Sequence, residues 1–373
     1  MKVAIVHEWF VSYAGSEKVI EQLIKCYPDA DIFALIDCLN SDNRGFLQGK
    51  NVKTSFLQKI PFIKQRYQLF LPIMPFAVEQ FDLSDYDVII SSSHAVAKGV
   101  LTGPNQLHIC YCHSPIRYAW DLQHQYIKES NKGFLLSWVM RYFLYKIRIW
   151  DYRTANGVDY FIANSNFIAK RIRKVYGRDS EVIFPPVDTQ KFTPQISKQE
   201  YYFTASRLVP YKKVDLIAKA FAKMPDKELI IAGTGEGASK IQELADNFPN
   251  IKYLGFISDD KMIELMQNAK AFVFAAEEDF GIIPVEAQAC GTPIIAYGSG
   301  GVCDSVIVES ENATGVFFYK QDIDSIIKAV NEFEQTQIHY NDCISNSQKF
   351  SENIFRNKIS DFVVTKYKEF KSK

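Results

Sequence analysis

Short apolar runs and longer amphipathic stretches take turns along the chain. "KVAIVHEW" predicts a buried strand, and "GSEKVIEQLIKCYP" after it predicts a helix, its apolar residues recurring three and four apart. "DYDVIISSS" runs into "HAVAKGV", "HICYCHSP" is a further strand, and "DYFIANS" leads into a helix at "NFIAKRIRKVYG". The segment "VIFPPVDTQKFTPQISKQE" breaks this rhythm with prolines and polar residues and reads as a linker. The alternation then restarts, with strands at "YYFTASRL", "KELIIAG", "IKYLGFI", "KAFVFAA" and "PIIAYG" and helices at "KVDLIAKAFAKM", "DDKMIELMQNA" and "PVEAQAC". Such alternation builds parallel sheets with helices on both faces. The pattern predicts an α/β protein with two Rossmann-like domains, residues 1–186 and 187–350. A last helical stretch, residues 351–373, has no strand after it and can cap either domain, including by crossing back to the N-terminal one.

Composition narrows the class without choosing a function. A chain of 373 residues, 47% of them apolar, can bury two domain cores. Lys plus Arg and Asp plus Glu both number 43, so no basic excess points to nucleic acid as a partner. The N-terminus reads as a strand and not as a signal peptide, and no run reaches the ~18–20 apolar residues that span a bilayer. Seven scattered cysteines read as reduced thiols, which together with these features predicts a cytoplasmic protein.

Chemistry concentrates in "FAAEEDFGIIPVEAQACGTPIIAYGSGG", Phe274 to Gly301. Two acids, Glu278 and Glu286, flank a Phe-Gly step between a strand and a helix start, where Pro284 suits the first helical position. The carboxyl end of a strand in an open α/β sheet is where ligands bind. Gly281 lets backbone approach a ligand, and the free N–H groups of the helix start attract an anion. Glu278 is then a candidate for sugar hydroxyls and Glu286 for a ribose diol. The same residues also fit a solvated loop charge and a first-turn acid facing the helix dipole. Upstream, "SRLVPYKKVD" puts Arg207 and Lys212 after the first strand of the second half, cations that suit a diphosphate. "IIAGTGEG", beginning its turn at Gly233, is not the G-x-G-x-x-G dinucleotide fingerprint. His113, in "CYCHSP", is open to three readings: a donor-site residue at a strand's carboxyl edge, a buried structural histidine, or a zinc ligand with Cys110 and Cys112.

These motifs carry a resemblance. "EEDFGIIPVEAQACGTPII" looks like the paired-glutamate signature of retaining GT-B glycosyltransferases of the family-4 group, "SRLVPYKKVDLI" resembles that group's diphosphate motif, and "YAGSEKV" resembles its N-terminal glycine loop. "SSSHAVAKGV", "YCHSPIRYAWD", "RIWDYRTANGVDYFIANS" and "VIFPPVD" resemble a bacterial branch that builds O-antigen and capsule, mannosyltransferases among them. The resemblance implies a GT-B fold, with two Rossmann-like domains facing each other across a deep cleft. It implies that Glu278 binds the transferred sugar and Glu286 the ribose. Backbone N–H groups from Phe280 through Gly281 and Ile282 to Ile283 face the sugar and phosphates, and Gly233 belongs to the same donor-binding set. Arg207 and Lys212 neutralise the diphosphate, Gly15 and Ser16 approach it, and His113 sits near the reacting sugar. Three positions depart from the pattern: Ala14 and Asp279 replace glycines, and Lys213 stands where a glycine is usual.

Cleaving a sugar–phosphate bond requires that growing negative charge be held, which fixed cations and oriented N–H groups can do. No divalent metal or other cofactor is then expected, and "SDD" at Ser258–Asp260 reads as a helix N-cap. The expected reaction moves a hexose, with mannose from GDP-mannose as the first choice, to a polyprenyl-diphosphate-linked or other lipid-linked glycan, with retention of configuration. A UDP-sugar donor, a nucleotide-sugar epimerase of the same fold and a non-catalytic carbohydrate- or nucleotide-binding protein are the alternatives. Two stretches bear on location: "FLQKIPFIKQRYQLFLPIMPF" and "FLLSWVMRYFLYKIRIW" interleave aromatics with Lys59, Lys64, Arg66, Arg141, Lys146 and Arg148. They fit an anionic inner-leaflet surface or, equally, helices packed on the first domain with basic tips extended to water.

Overall fold

The computed structural model describes residues 1–129, 133–195 and 197–372; Ile196, in the predicted linker, and Lys373, at the end of the predicted last helix, lie outside them. The chain divides into two compact units, Met1–Pro186 with Phe355–Lys373, and Val187–Ile354.

The first unit holds strands β1 (Val3–Phe10), β2 (Asp31–Asp37), β3 (Val52–Thr54), β4 (Val88–Ser93), β5 (Leu107–Cys112), β6 (Tyr160–Ala163) and β7 (Ser180–Val182), in the order β3-β2-β1-β4-β5-β6-β7. Every pairing is parallel. Both faces of this sheet are covered, which explains why its strands read as continuous apolar runs. Val3 and Ile5 enter one core with the helix Gly15–Cys26, while Ala4 and Val6 enter the opposite one with Phe33, Leu35 and Ile89. The terminal helix Glu352–Lys371 places Phe355, Ile359 and Val363, four apart, in the first of these cores.

The second unit repeats the plan with β8 (Tyr201–Ala205), β9 (Glu228–Ala232), β10 (Ile251–Tyr253), β11 (Ala271–Phe274), β12 (Ile294–Tyr297) and β13 (Gly315–Phe318), ordered β10-β9-β8-β11-β12-β13 and all parallel. Its strands also alternate between two cores: Tyr202, Leu229 and Val273 face one, Phe203, Ile230 and Phe272 the other.

The strand order fixes where each sheet can bind. In the first unit the chain walks outward from β1 to β3 and then restarts at β4 on β1's other side; in the second it walks from β8 to β10 and restarts at β11 beside β8. The loops leaving β1 and β4, and those leaving β8 and β11, therefore diverge and leave a crevice at each carboxyl edge. Strands β2, β3, β7 and β13 were not among those the sequence pattern predicts, and "HAVAKGV" forms only a short 3-10 turn at Ala97–Gly99.

Candidate functional site

In the second unit, β8 is followed by Arg207 and a 3-10 turn, Pro210–Lys212, and β11 by the loop that carries Glu278. Because β8 and β11 are neighbours, residues 66 apart in sequence meet: the Lys212 ammonium pairs with the Glu278 carboxylate. Both side chains are largely shielded from water, and Lys212 also lies 5.3 Å from the centre of the Tyr211 ring. Arg207 stays exposed beside them, its guanidinium donating to the Tyr211 hydroxyl at 3.3 Å. A cation, a carboxylate and a second exposed cation thus share one switch point.

The helix after this loop begins earlier than the proline suggests. It spans Ile282–Ala289 with Gly281 as N-cap at φ 82°, so Pro284 occupies the third helical position and not the first. Glu286 consequently falls in the second turn, and it is buried at 9% exposure. That placement removes the first-turn dipole explanation, since the dipole's influence fades beyond the first turn. The Gly281 cap offers no side chain to the N-terminal N–H groups, leaving those of Ile282 and Ile283 directed out of the helix end. Phe280 is buried against Phe350, with ring centres 5.6 Å apart, so it anchors the loop by its side chain and presents only backbone.

The pinning of this loop lies in the end of the same stretch, "GSGG", which sequence reasoning passed over. The Gly301 N–H donates to the Glu278 carbonyl at 2.8 Å, and Ser299 Oγ donates to Glu277 at 2.6 Å. A Cβ on Gly300 would stand 2.5 Å from the Glu278 carbonyl oxygen, and one on Gly301 2.3 Å from that of Asp279. Gly233 has a similar packing role: a Cβ there would lie 1.8 Å from the Ser206 carbonyl oxygen, so the glycine lets the β9 loop lie against the β8 loop. Lys213 takes φ 57°, a left-handed conformation that favours glycine, which accounts for the usual residue at that position.

In the first unit the carboxyl edges of β1, β4 and β5 gather a group of histidines and acids. His113 Nε2 meets Ser92 Oγ at 2.8 Å, and its ring packs on Tyr111 with centres 5.1 Å apart. Burial holds its pKa well below the usual histidine value, and the charges of His94 and His7 add to this, so the ring is neutral near pH 7. Strand alternation sets Cys110 and Cys112 in a core with Ala155 and Phe161 on the other face from Tyr111, which joins a different core. His113 follows Tyr111's side, and the Cys–Cys–His zinc reading is corrected on that ground.

Gly15 and Ser16 open the helix Gly15–Cys26. Ser16 Oγ donates to Glu17 at 3.0 Å, and the Ala14 N–H donates to the same carboxylate at 3.0 Å, closing the helix start as Glu or Gln at the third position does. Glu17 also faces buried His7 at 3.4 Å. Burial opposes charging of His7, but the Glu17 hydrogen bond and charge, with Glu8, prevail and raise its pKa. The sequence reading missed Glu8 and His94. Glu8 is fully buried, accepts from Ser93 Oγ and from the N–H groups of Ala95 and Ala97 at 2.7–3.0 Å, and lies 3.3 Å from His94 Nδ1. His94 remains about one-third exposed, its ring centre 6.3 Å from that of His113. The available signal was "HEW" on a strand facing "SSSH" on its neighbour, which becomes informative only once β1 and β4 are known to pair.

A second buried network joins three of the branch motifs. Lys98 pairs with Asp151 inside the fold, and Asp151 also accepts from Trp120 Nε1 at 2.7 Å and from the Tyr176 hydroxyl at 3.1 Å. This network is structural: both ions are nearly inaccessible. A recess of about 640 Å³ runs along edge strand β13 between Val308 and Thr336 and shares no residue with the loops described above.

Two all-parallel α/β units, each with polar groups at its own switch point, define the GT-B class. Residues 13–191 match the Glycosyltransferase Family 4 model and residues 187–350 the Glycosyl transferases group 1 model. Together these cover nearly the whole chain, and the protein belongs to this glycosyltransferase family. Among curated relatives, a GDP-mannose-dependent monoacylated alpha-(1-6)-phosphatidylinositol monomannoside mannosyltransferase of Corynebacterium glutamicum is 31% identical over 204 residues, 47% of this chain and 52% of the relative. A D-inositol 3-phosphate glycosyltransferase of Mycobacterium marinum is 26% identical over 48% of this chain and 43% of its own length. The alignments thus span about half the length of these relatives. Among solved structures, Anabaena HepE in complex with UDP aligns over 98% of this chain and all of its own, with a TM-score of 0.69 at 17% identity. Sucrose-phosphate synthase from Thermosynechococcus elongatus aligns with a TM-score of 0.72 at 14% identity over 99% of this chain and all of its own.

Proposed function

We propose that the protein is a retaining glycosyltransferase that moves a hexose, mannose from GDP-mannose, onto a lipid-linked oligosaccharide in the assembly of a cell-surface polysaccharide. The observation that carries this reading is the meeting of Lys212 and Glu278 at the second unit's switch point, beside the uncapped N-terminus of Ile282–Ala289. A diphosphate draws Lys212, Arg207 and the helix N–H groups to itself, where they hold the charge of the leaving group. Glu278 then accepts from hydroxyls of the sugar and Glu286 from the ribose. The anomeric C–O bond to phosphate breaks, the acceptor oxygen bonds the same carbon on the same face, and its proton passes to the departing phosphate. His113, Gly15 and Ser16 of the first unit complete the assignment, with neutral His113 acting on the sugar as a hydrogen-bonding group. No step in this scheme asks for a metal. The mannosyltransferase relative supports GDP-mannose as donor; the acceptor and its location at the cytoplasmic face of the membrane follow from the branch motifs.

Thermal-shift titration with GDP, UDP and ADP tests the donor. The true nucleotide at ~100 times its dissociation constant adds about 2.7 kcal/mol to stability. A response to UDP alone moves the donor to a UDP-sugar, and a response to none rejects the site. The anomeric configuration of the product, read by NMR, tests retention; isomerised donor formed without acceptor would instead identify an epimerase.

A further inference from the structure

The helix Phe134–Thr154 presents two opposite faces, each with residues spaced three and four apart. One, Leu144 and Ile147 followed by Asp151 and Thr154, is the buried face of the helix. The other comprises Leu135, Trp138, Tyr142, Tyr145 and Ile149, also spaced three and four apart, and at 100° per residue it points almost directly away from the first. All five are exposed, Leu135 at 80% and Trp138 at 63%, and Phe134 beside them is at 77%. A helix packed on its own domain has no use for the second stripe.

The surroundings of the stripe indicate what covers it. Lys146 and Arg141 flank it on its two sides, and Lys146 leans over the Tyr142 ring at 5.6 Å. The neighbouring segment 56–78 adds exposed Phe62, Leu69 and Phe76 with exposed Lys59, Lys64 and Arg66. It lies beside the helix, since its Leu71 packs on the cluster that contains Leu144 and Ile147. No Asp or Glu occurs between residues 43 and 78 or between 130 and 150, in a chain whose charges otherwise balance. The charged side chains that these two segments expose are all cations, and the nearby Glu79 carboxylate is engaged by Trp150 Nε1 and Arg153; a large apolar ridge so bordered matches a surface that is apolar within and anionic at its edge. A second copy of the chain fits less well, because a twofold contact would set the same cations against each other. Among the described residues no helix is long and apolar enough to cross a membrane.

We propose that this ridge docks on an anionic phospholipid bilayer, with Leu135, Trp138 and Tyr142 entering the interface and Lys64, Arg66, Arg141 and Lys146 meeting lipid phosphates. The inference stands on the surface alone and not on the donor or the reaction. The full chain is mixed with phosphatidylcholine vesicles with and without phosphatidylglycerol. Expected are co-sedimentation with the anionic vesicles that weakens at high salt, and a blue shift in tryptophan emission from Trp138, the exposed one of the four tryptophans. Arg141→Glu with Lys146→Glu should weaken anionic binding at least ~10-fold, and Leu135→Ser with Tyr142→Ser should abolish the blue shift. Both variants should keep the wild-type melt and nucleotide response, separating this proposal from the donor reading. Absence of vesicle binding at low salt, equal binding to neutral vesicles, or a lipid-free dimer that blue-shifts Trp138 would overturn it.

Discussion

Gly300→Ala tests whether the glycines after β12 hold Glu278 in place. Gly300 adopts φ 86°, where a Cβ costs ~1–2 kcal/mol, and that Cβ would lie 2.5 Å from the Glu278 carbonyl oxygen and 3.1 Å from its nitrogen. Backbone cannot swing aside as a side-chain tip can, so the loop must yield by about half an ångström before even a tight contact is reached. The bond from the Gly301 N–H to the same carbonyl, 2.8 Å, is then stretched, adding roughly 1 kcal/mol. A total of about 2–3 kcal/mol should lower the Tm of the unit Val187–Ile354 by roughly 5–10 °C. Displacing Glu278 by that distance should also reduce kcat/KM by about 10- to 100-fold, as a misplacement of ~1 Å costs about 10²-fold. The assay pairs a thermal melt with transfer kinetics against a fixed acceptor. Gly177→Ala is the control: it has φ 65° but no atom within 4 Å of the added carbon, so it should cost only ~1 kcal/mol and leave turnover unchanged. If Gly300→Ala matches wild type in melt and rate, or Gly177→Ala is as damaging, the pinning argument is wrong.

Three further outcomes are expected. Lys98→Met should destabilise the first unit by about 3–5 kcal/mol in urea unfolding, because it strands the buried Asp151 carboxylate; a loss below ~1 kcal/mol would mean that Trp120 and Tyr176 satisfy it alone. Burial pushes the His108 imidazole down to about 4, the Gly157 carbonyl pulling the other way and the Lys98 charge adding to the depression. The unfolded chain therefore takes up a proton between pH 6.5 and 4 that the folded one refuses, and stability should fall on acidification by about 1.4 kcal/mol per pH unit across that window. His7, whose pKa is raised, contributes with the opposite sign, so the comparison is made against His108→Gln, which should flatten the acid limb; identical limbs would reject the assignment. His113→Ala should lower turnover about 10- to 100-fold, the worth of a hydrogen bond to a polar transition state, with an unchanged melt; full activity would reject its role at the sugar.

The alternation of apolar runs with amphipathic stretches was enough to establish two parallel α/β domains, because a strand buried on both faces leaves a continuous apolar run in the sequence. Ser258 shows the same legibility at short range: it accepts from the Lys261 N–H at 3.3 Å as a helix N-cap, where "SDD" predicted one. Short edge strands such as β3 and β7, three residues each, carried too little pattern to be read. Pro284 misled because proline tolerates any of the first helical positions, and only the backbone shows that the helix begins at Ile282.

Residue types and their order along the chain thus determined the class of fold, the cations after the first strand of the second half and the acids around the Phe-Gly step. Strand order was decided by tertiary structure, since it depends on which faces bury one another across long separations. By setting β11 beside β8 and β4 beside β1, that order brought Lys212 to Glu278 and His94 to Glu8. It likewise decided that the face of Phe134–Thr154 with Leu144, Ile147, Asp151 and Thr154 became core while the more apolar stripe opposite was left bare, a choice that local periodicity cannot make because both faces carry the same three-and-four spacing.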